Sequence, residues 1–321
     1  MSTILRAAAI AATLVSSVRA SAEDPSESGW DVDLSVPVAL ITGDTTYRIH
    51  ASDSTGSITS ELEFPLLGPL AGVRGQFASP RDPSRRRWVL EASGLMSFTG
   101  PVGTMKDSDW LSDSIDIATV GATNPGKDIY SESKAELRTL IFEGRVAWQH
   151  EPSPGFRVSP LAGVLYQRFK YDVRDVTQVG YGPYAAGFSG SASGRVLAYE
   201  VSYRAPYAGV RGELVRGGFS ATAELWYSPF ASATDRDDHM LRSKLSTTDA
   251  SGTAWEAGLG AKLALGPSDA LQGQLFLVRF NATGTQFQRF YGGPNVGQSG
   301  TIGSAITSSR ATALVAWTHR M

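Results

Sequence analysis

From Trp30 to Thr42, apolar and polar positions alternate. Val32, Leu34, Val36, Val38 and Leu40 share one face, and Asp31, Asp33, Ser35 and Ala39 share the other. Period-two alternation marks a strand with one apolar and one polar face. The pattern returns at Trp88, Leu90, Ala92, Met96 and Phe98 against Glu91, Ser93 and Ser97. It recurs at Leu140, Phe142, Val146 and Trp148 against Glu143 and Arg145, and again around Val315 and Trp317. Counted along the chain, it predicts about ten strands, at 30–50, 57–79, 86–100, 130–150, 155–175, 195–214, 217–232, 250–265, 269–289 and 302–321.

The connections between these segments alternate in length. Ser79–Arg86, His150–Gly155, Leu214–Gly217 and Leu265–Asp269 are short and rich in Pro, Gly and charge. Those near 50–57, 100–130, 175–195, 232–250 and 288–302 are mostly longer and polar. Tight turns at one end, long loops at the other and an even strand count describe an all-β, ten-stranded antiparallel transmembrane β-barrel, with short periplasmic turns and long extracellular loops. Strands of about 20 residues, tilted by about 45°, reach roughly 45 Å, against an apolar band about 25 Å tall. The barrel is therefore expected to project beyond the lipid on the long-loop side.

Composition fits this reading. Glycine (34 residues), serine and threonine are plentiful, aromatics make up 10%, and cysteine is absent, so disulfides and thiolate metal sites are not available. Residues 1–22 read as a signal peptide: Arg6, an apolar run Ala7–Val18 too short to span a bilayer, and the small-residue pattern Ala20-Ser21-Ala22. One barrel domain is expected over residues 23–321. Removing the leader takes away Arg6 and Arg19 and no acid, so the net charge moves from −2 to −4. Such mild acidity argues against nucleic acid as a partner.

Topology then sorts the chemistry. His150 and His319 fall at the periplasmic end, leaving His50 and His239 outside. Two acidic knots emerge on that same outer side: Asp107 and Asp109 after strand three, and Asp235, Asp237 and His239 after strand seven. Residues i and i+2 share a face on an extended chain, so each set points together. The register of strand three turns Asp107 and Asp109 toward the lumen. In strand seven, Phe219, Ala221, Ala223, Leu225 and Tyr227 face lipid, and the same parity sends Asp237 outward unless a bulge near Pro229 corrects it. Paired carboxylates tend to retain one proton, and an Asp beside a His makes it a better base. Opposed across a cleft, the two pairs would polarise a water toward a peptide carbonyl. The plainer alternative is a set of solvated acidic loops, with or without a bound divalent cation.

Here the chain resembles the omptins, a family of ten-stranded outer-membrane endopeptidases. Met105-Lys106-Asp107-Ser108-Asp109-Trp110 is similar to the family's M-x-D-x-D-W stretch, and Phe219–His239 follows the family's spacing without a gap. Pro206-Tyr207-Ala208-Gly209 and Ser60-Glu61-Leu62-Glu63-Phe64 are weaker echoes. The resemblance implies Asp107 and Asp109 as a carboxylate pair and Asp237 with His239 as a dyad. It implies a water nucleophile, no metal and no cofactor, with lipopolysaccharide as an activator. It implies Asp235 and Met105 as the acid and the apolar wall of a pocket for a basic side chain of a polypeptide substrate. Tyr47 stands where the family places a second pocket acid. On the outer wall, Tyr166 and Lys170 match lipopolysaccharide contacts, while Arg168 stands in place of an acid and Ser202 in place of an arginine. A non-enzymatic outer-membrane barrel (a pore, a surface-binding protein or an inactive relative) is the alternative.

Overall fold

Alternation of this kind buries half of each strand and leaves its backbone to be paired on both edges, and a closed ring satisfies both demands. The computed structural model describes residues 29–53, 56–111, 126–181 and 187–321. The expected leader, 1–22, lies outside them, as does 112–125 of the expected loop at 100–130.

Eleven strands follow one another: β1 (Asp31–Asp53), β2 (Gly56–Ala78), β3 (Arg86–Met96), β4 (Gly100–Trp110), β5 (Ile129–Ser153), β6 (Phe156–Gly180), β7 (Ser189–Arg216), β8 (Phe219–His239), β9 (Lys244–Ala264), β10 (Asp269–Phe290) and β11 (Ser299–Arg320). All pair antiparallel, and β1 pairs with both β2 and β11, which closes the ring. β3 and β4 both lie between β2 and β5, so together they form one interrupted stave and the barrel has ten. Gly155 and Gly217, with φ of 78° and 60°, supply left-handed backbone in the two-residue turns between Ser153 and Phe156 and between Arg216 and Phe219.

The strands run well past the boundaries read from the sequence. The connection expected at 232–250 is strand up to His239 and again from Lys244, leaving only a 3-10 turn at Met240–Arg242 with Ser243. The one expected at 288–302 shrinks to the residues between Phe290 and Ser299. Above the lipid the outer face of a strand is wetted like its lumen face. Apolar alternation disappears there while the hydrogen-bonded ladder continues. Asp107, Asp109, Asp235, Asp237 and His239 thus sit on strands, not in loops.

The outer face divides accordingly. Leu40, Leu67, Val73, Leu90, Leu225 and Leu259 form part of an exposed apolar band. Trp88 and its register partner Trp148 stand near its short-turn edge. Trp226, by contrast, points inward and stacks on Tyr207 at 4.4 Å, a packing residue of the lumen. Beyond the band the outer face carries ion pairs: Arg48 with Glu61, and Lys106 with Glu63 at 3.0 Å.

The lumen is filled in layers. Arg145 joins Glu91 and Glu224 at 2.5 and 2.6 Å, and Arg211 bonds the same two acids at 2.7 and 2.8 Å. Above this charged layer, Phe64, Phe169, Tyr171, Tyr199, Tyr203 and Phe280 are almost fully buried and stack on one another. They separate the lower lumen from the acidic residues above.

Candidate active site

Two walls of the barrel, on staves four apart in the ring of ten, carry the acidic residues. On one wall, β4 turns Met105, Asp107 and Asp109 inward, all buried. Two irregularities lie below them. Between Met96 and Gly100 the stave advances four residues while β5 advances three, from Leu140 to Leu137. A second register shift falls between Pro101 and Gly103. Each reverses the face, and together they cancel. Asp128 pins the upper end: its N–H donates to the Asp109 carbonyl at 2.9 Å, and its carboxylate accepts from the Leu111 N–H at 2.7 Å.

On the facing wall, the ladder slips between Ser228 and Ala231 against β9 and between Arg204 and Ala208 against β7. β8 holds one extra residue relative to both neighbours. Pro229 and Phe230 are both exposed, and beyond them Ala231, Ala233, Asp235 and Asp237 are buried. This is the bulge near Pro229 on which an inward Asp237 depended, and it turns Asp235, Asp237 and His239 into the lumen. Their inward neighbours are Val201, Tyr199 and Leu197 on β7, and Thr248, Ser246 and Lys244 on β9.

The turn after β8 reaches across the lumen. Arg242 Nη2 lies 3.9 Å from Asp109 Oδ2, and Asp107 and Asp237 lie close enough for their charges to interact. The four residues expected to act together are brought to one cleft. The Ser60 hydroxyl, on the register partner of Asp109, is 3.5 Å from Asp107 Oδ1 and within reach of both carboxylates.

This cleft lies above the apolar band, and burial dominates its titrations. Burial first, and then the Asp109 charge, hold the Asp107 carboxyl well above the usual range, and burial raises Asp109 as well, so the pair retains one proton near neutrality. Burial pushes Asp237 up to about 6 and Asp235 up to about 7. Burial, followed by the Arg242 and Lys244 charges, pushes His239 down to about 3, which leaves its imidazole neutral. Asp237 and His239 are not hydrogen-bonded to each other: Asp237 Oδ1 and His239 Nδ1 are both buried without a protein partner, as are Asp109 Oδ1 and Asp235 Oδ1. Buried atoms without protein partners occur elsewhere in the lumen as well, at Tyr171, Trp226 and Arg310 among others.

The pocket residues adjoin the dyad. Asp235 Oδ2 accepts from the Tyr199 hydroxyl at 3.2 Å, and Tyr199 stacks on Phe64 at 4.3 Å. Tyr47 is buried beside Tyr199, with ring centroids 6.0 Å apart, and its phenol feels the charges of Asp235 and Asp237. Asp235 is thus a buried carboxylate walled by aromatic rings. His50 bonds Thr59 at 3.0 Å and stays out of the cluster. On the outer wall, Tyr166 approaches Ser202 at 3.5 Å, and Lys170 and Arg168 both approach Glu200, at 3.8 and 3.9 Å. Sequence reasoning passed over Lys244, Arg242, Tyr199 and Asp128. Lys244 shares its parity with Ser246 and Thr248, a signal that would have emerged had β9 been started six residues earlier than 250.

Comparison with known proteins agrees with this architecture. A sequence model described as the Omptin family matches residues 29–262. Protease 7 of Escherichia coli O157:H7 is 21% identical over 238 residues, covering 71% of this chain and 70% of its own length. Plasminogen activator of Yersinia pestis is 20% identical over 258 residues, covering 78% of each. Among solved structures, the outer membrane protease OmpT from Escherichia coli superposes with a TM-score of 0.74 at 17% identity, over 91% of this chain and 97% of that one.

Proposed function

The chain belongs to the omptin family of outer-membrane proteases, and on that premise we propose that it is an endopeptidase of the outer membrane, opening to the cell exterior, that hydrolyses polypeptides near basic residues. The observation that carries this reading is the convergence of Asp107 and Asp109 from β4 with Asp237 and His239 from β8 on one cleft, bridged by the 3.9 Å approach of Arg242 to Asp109.

In this mechanism a water held between the two walls attacks the scissile carbonyl. Neutral His239 accepts the water's proton, and substrate binding closes the Asp237–His239 hydrogen bond, which raises the basicity of the imidazole. The carbonyl oxygen becomes an oxyanion facing the Asp107–Asp109 pair, whose shared proton bonds to it. His239 then passes its proton to the amide nitrogen as the C–N bond breaks. No covalent enzyme intermediate forms, and the hydrolysis is aspartic-type in that carboxylates on both walls take part, Asp107 and Asp109 at the oxyanion and Asp237 behind His239. Asp235 receives the basic side chain, with Met105 and Tyr47 as walls. With one carboxylate in the pocket, discrimination for a basic residue is weaker than two would give. Lipopolysaccharide, held by Tyr166 and Lys170 on the outer wall, is the proposed activator. Adding it to lipid-free refolded protein should raise turnover, and Lys170→Ala should blunt that rise.

Asp237→Asn and His239→Ala should each lower kcat/KM on an Arg-containing peptide by on the order of 10³-fold or more. Heat-shifted gel mobility would show that both variants remain folded. Unchanged turnover in both would overturn the reading. A pore is disfavoured by the aromatic and charged layers that fill the lumen.

A further inference from the structure

Lys244 is the first residue of β9 and the register partner of His239. Paired residues of an antiparallel ladder point to the same side, with Cβ atoms about 5 Å apart. Its side chain therefore enters the lumen beside the dyad, where the residue is only 7% exposed. Desolvating an ammonium costs several kcal/mol unless a partner lies close. Yet among the described residues no ion pair within 4 Å and no side-chain hydrogen bond secures it.

The groups that face it come from three elements. Asp237 and His239 lie on β8, Asp107 and Asp109 on β4 across the cleft, and Arg242 in the intervening turn. Its β10 neighbour in register, Phe290, is uncharged. Arg242 is about half exposed and is screened by solvent, whereas Lys244 as a residue is 7% exposed and is screened less.

We propose that Lys244 is a positioning residue of the hydrolytic site, its ammonium, next to His239 in the ladder, holding the carboxylates of both walls in their working charge state and keeping His239 neutral. The proposal rests on the hydrolytic reading above and assigns Lys244 no contact with substrate. The direction of its influence follows from its charge. It favours the ionised forms of Asp237, Asp107 and Asp109 and disfavours a second positive charge on His239.

The test compares Lys244→Met, which keeps the length and removes the charge, with Lys244→Arg, which keeps the charge. The acid limb of the kcat/KM profile needs Asp237 ionised, and the alkaline limb needs the proton shared by Asp107 and Asp109. Without Lys244 both limbs should move to higher pH, by on the order of one unit, the size of effect one nearby charge has at an effective dielectric of about 20. Lys244→Arg should restore the wild-type profile. In parallel, NMR titration of the His239 imidazole in micelles should show a higher midpoint in Lys244→Met, a readout that needs no turnover. Lys244→Gln serves the same purpose if the methionine variant does not fold. A folded variant whose profile and His239 titration both match wild type would overturn the proposal, as would a uniform loss at every pH that arginine does not rescue. If the wild-type protein cleaves nothing, the hydrolytic reading falls, while the His239 titration still decides what Lys244 does.

Discussion

Deleting one residue from the middle of a strand ordinarily turns every later side chain to the other face. In β8 such a deletion at Phe230 should do the opposite. Relative to β9, β8 advances three residues from Ser228 to Ala231 while its partner advances two, from Ala254 to Gly252. Relative to β7 it advances five, from Tyr227 to Ser232, against four from Ala208 to Arg204. Both neighbours count one surplus residue, and Phe230, 77% exposed, has little contact with the lumen. Removing it straightens the ladder and leaves Asp235, Asp237 and His239 facing inward with their present partners. The ladder regains one or two backbone hydrogen bonds at about 1 kcal/mol each, roughly offsetting the lost aromatic, so stability should stay within about 2 kcal/mol of wild type. Turnover of an Arg-containing peptide by the refolded variant should fall by no more than about tenfold, or roughly 1.4 kcal/mol. Deleting Thr234 is the contrast. It either turns the dyad outward or flattens the bulge and drives Phe230 into a lumen already packed with rings, and either route should cost on the order of 10³-fold or more. A Phe230 deletion that folds, by heat-shifted mobility, yet loses activity as severely as the Thr234 deletion would refute the bulge as the device that aims the dyad.

Further outcomes follow from the same geometry. The acid limb of kcat/KM should fall near pH 6, where Asp237 takes up its proton, with a slope of one. Asp238→Asn should shift that limb down and Arg242→Gln should shift it up, because the first charge raises and the second lowers Asp237, and a limb that ignores both variants would assign it elsewhere. Tyr199→Phe removes the 3.2 Å bond to Asp235 and should raise KM for basic peptides more than it lowers kcat, as read in steady-state kinetics. Arg145→Met strips a buried cation from Glu91 and Glu224 and should cost about 3 kcal/mol in denaturant unfolding, the low end for such pairs because Arg211 remains. The same variant should leave kcat unchanged, since the aromatic layer separates it from the cleft.

The legibility of this fold in the sequence depended on lipid. Where one face meets hydrocarbon, as along Leu34, Val38 and Leu40, alternation reveals the strand. Where both faces are wet, as from Thr234 to His239, the same ladder reads as loop. The bulge at Pro229 was legible only as a condition: Leu225 and Asp237 share a parity that puts both outward on a regular strand, and only the ladder shows the surplus residue that turns Asp237 in. The β4 wall was reached by simple extrapolation from Trp88 only because its two one-residue slips cancel, which nothing in the residues between Met96 and Met105 announces. Lys244 and Arg242 escaped notice because their roles come from where the ladder ends, not from their neighbours in sequence.

The two ends of the lumen treat their charges differently, and that contrast locates the function. In the lower lumen Glu91 and Glu224 are each met by two or more guanidinium groups, Glu143 accepts from the Tyr207 hydroxyl, and Asp33 is held by Lys262 and Arg320 at 3.1 and 2.9 Å. These pairs fill a space that side chains must occupy, and their satisfaction makes them inert. Above the aromatic layer four acids face two cations, and Asp109, Asp235, Asp237 and His239 each keep a buried polar atom without a protein partner. Buried polar atoms without partners also occur below, at Arg310 Nε, Thr312 Oγ1 and Trp226 Nε1, so what sets the upper cleft apart is its excess of carboxylates over cations. On the reading proposed above, that excess of acid is what a water between the walls and a peptide lying across them would meet.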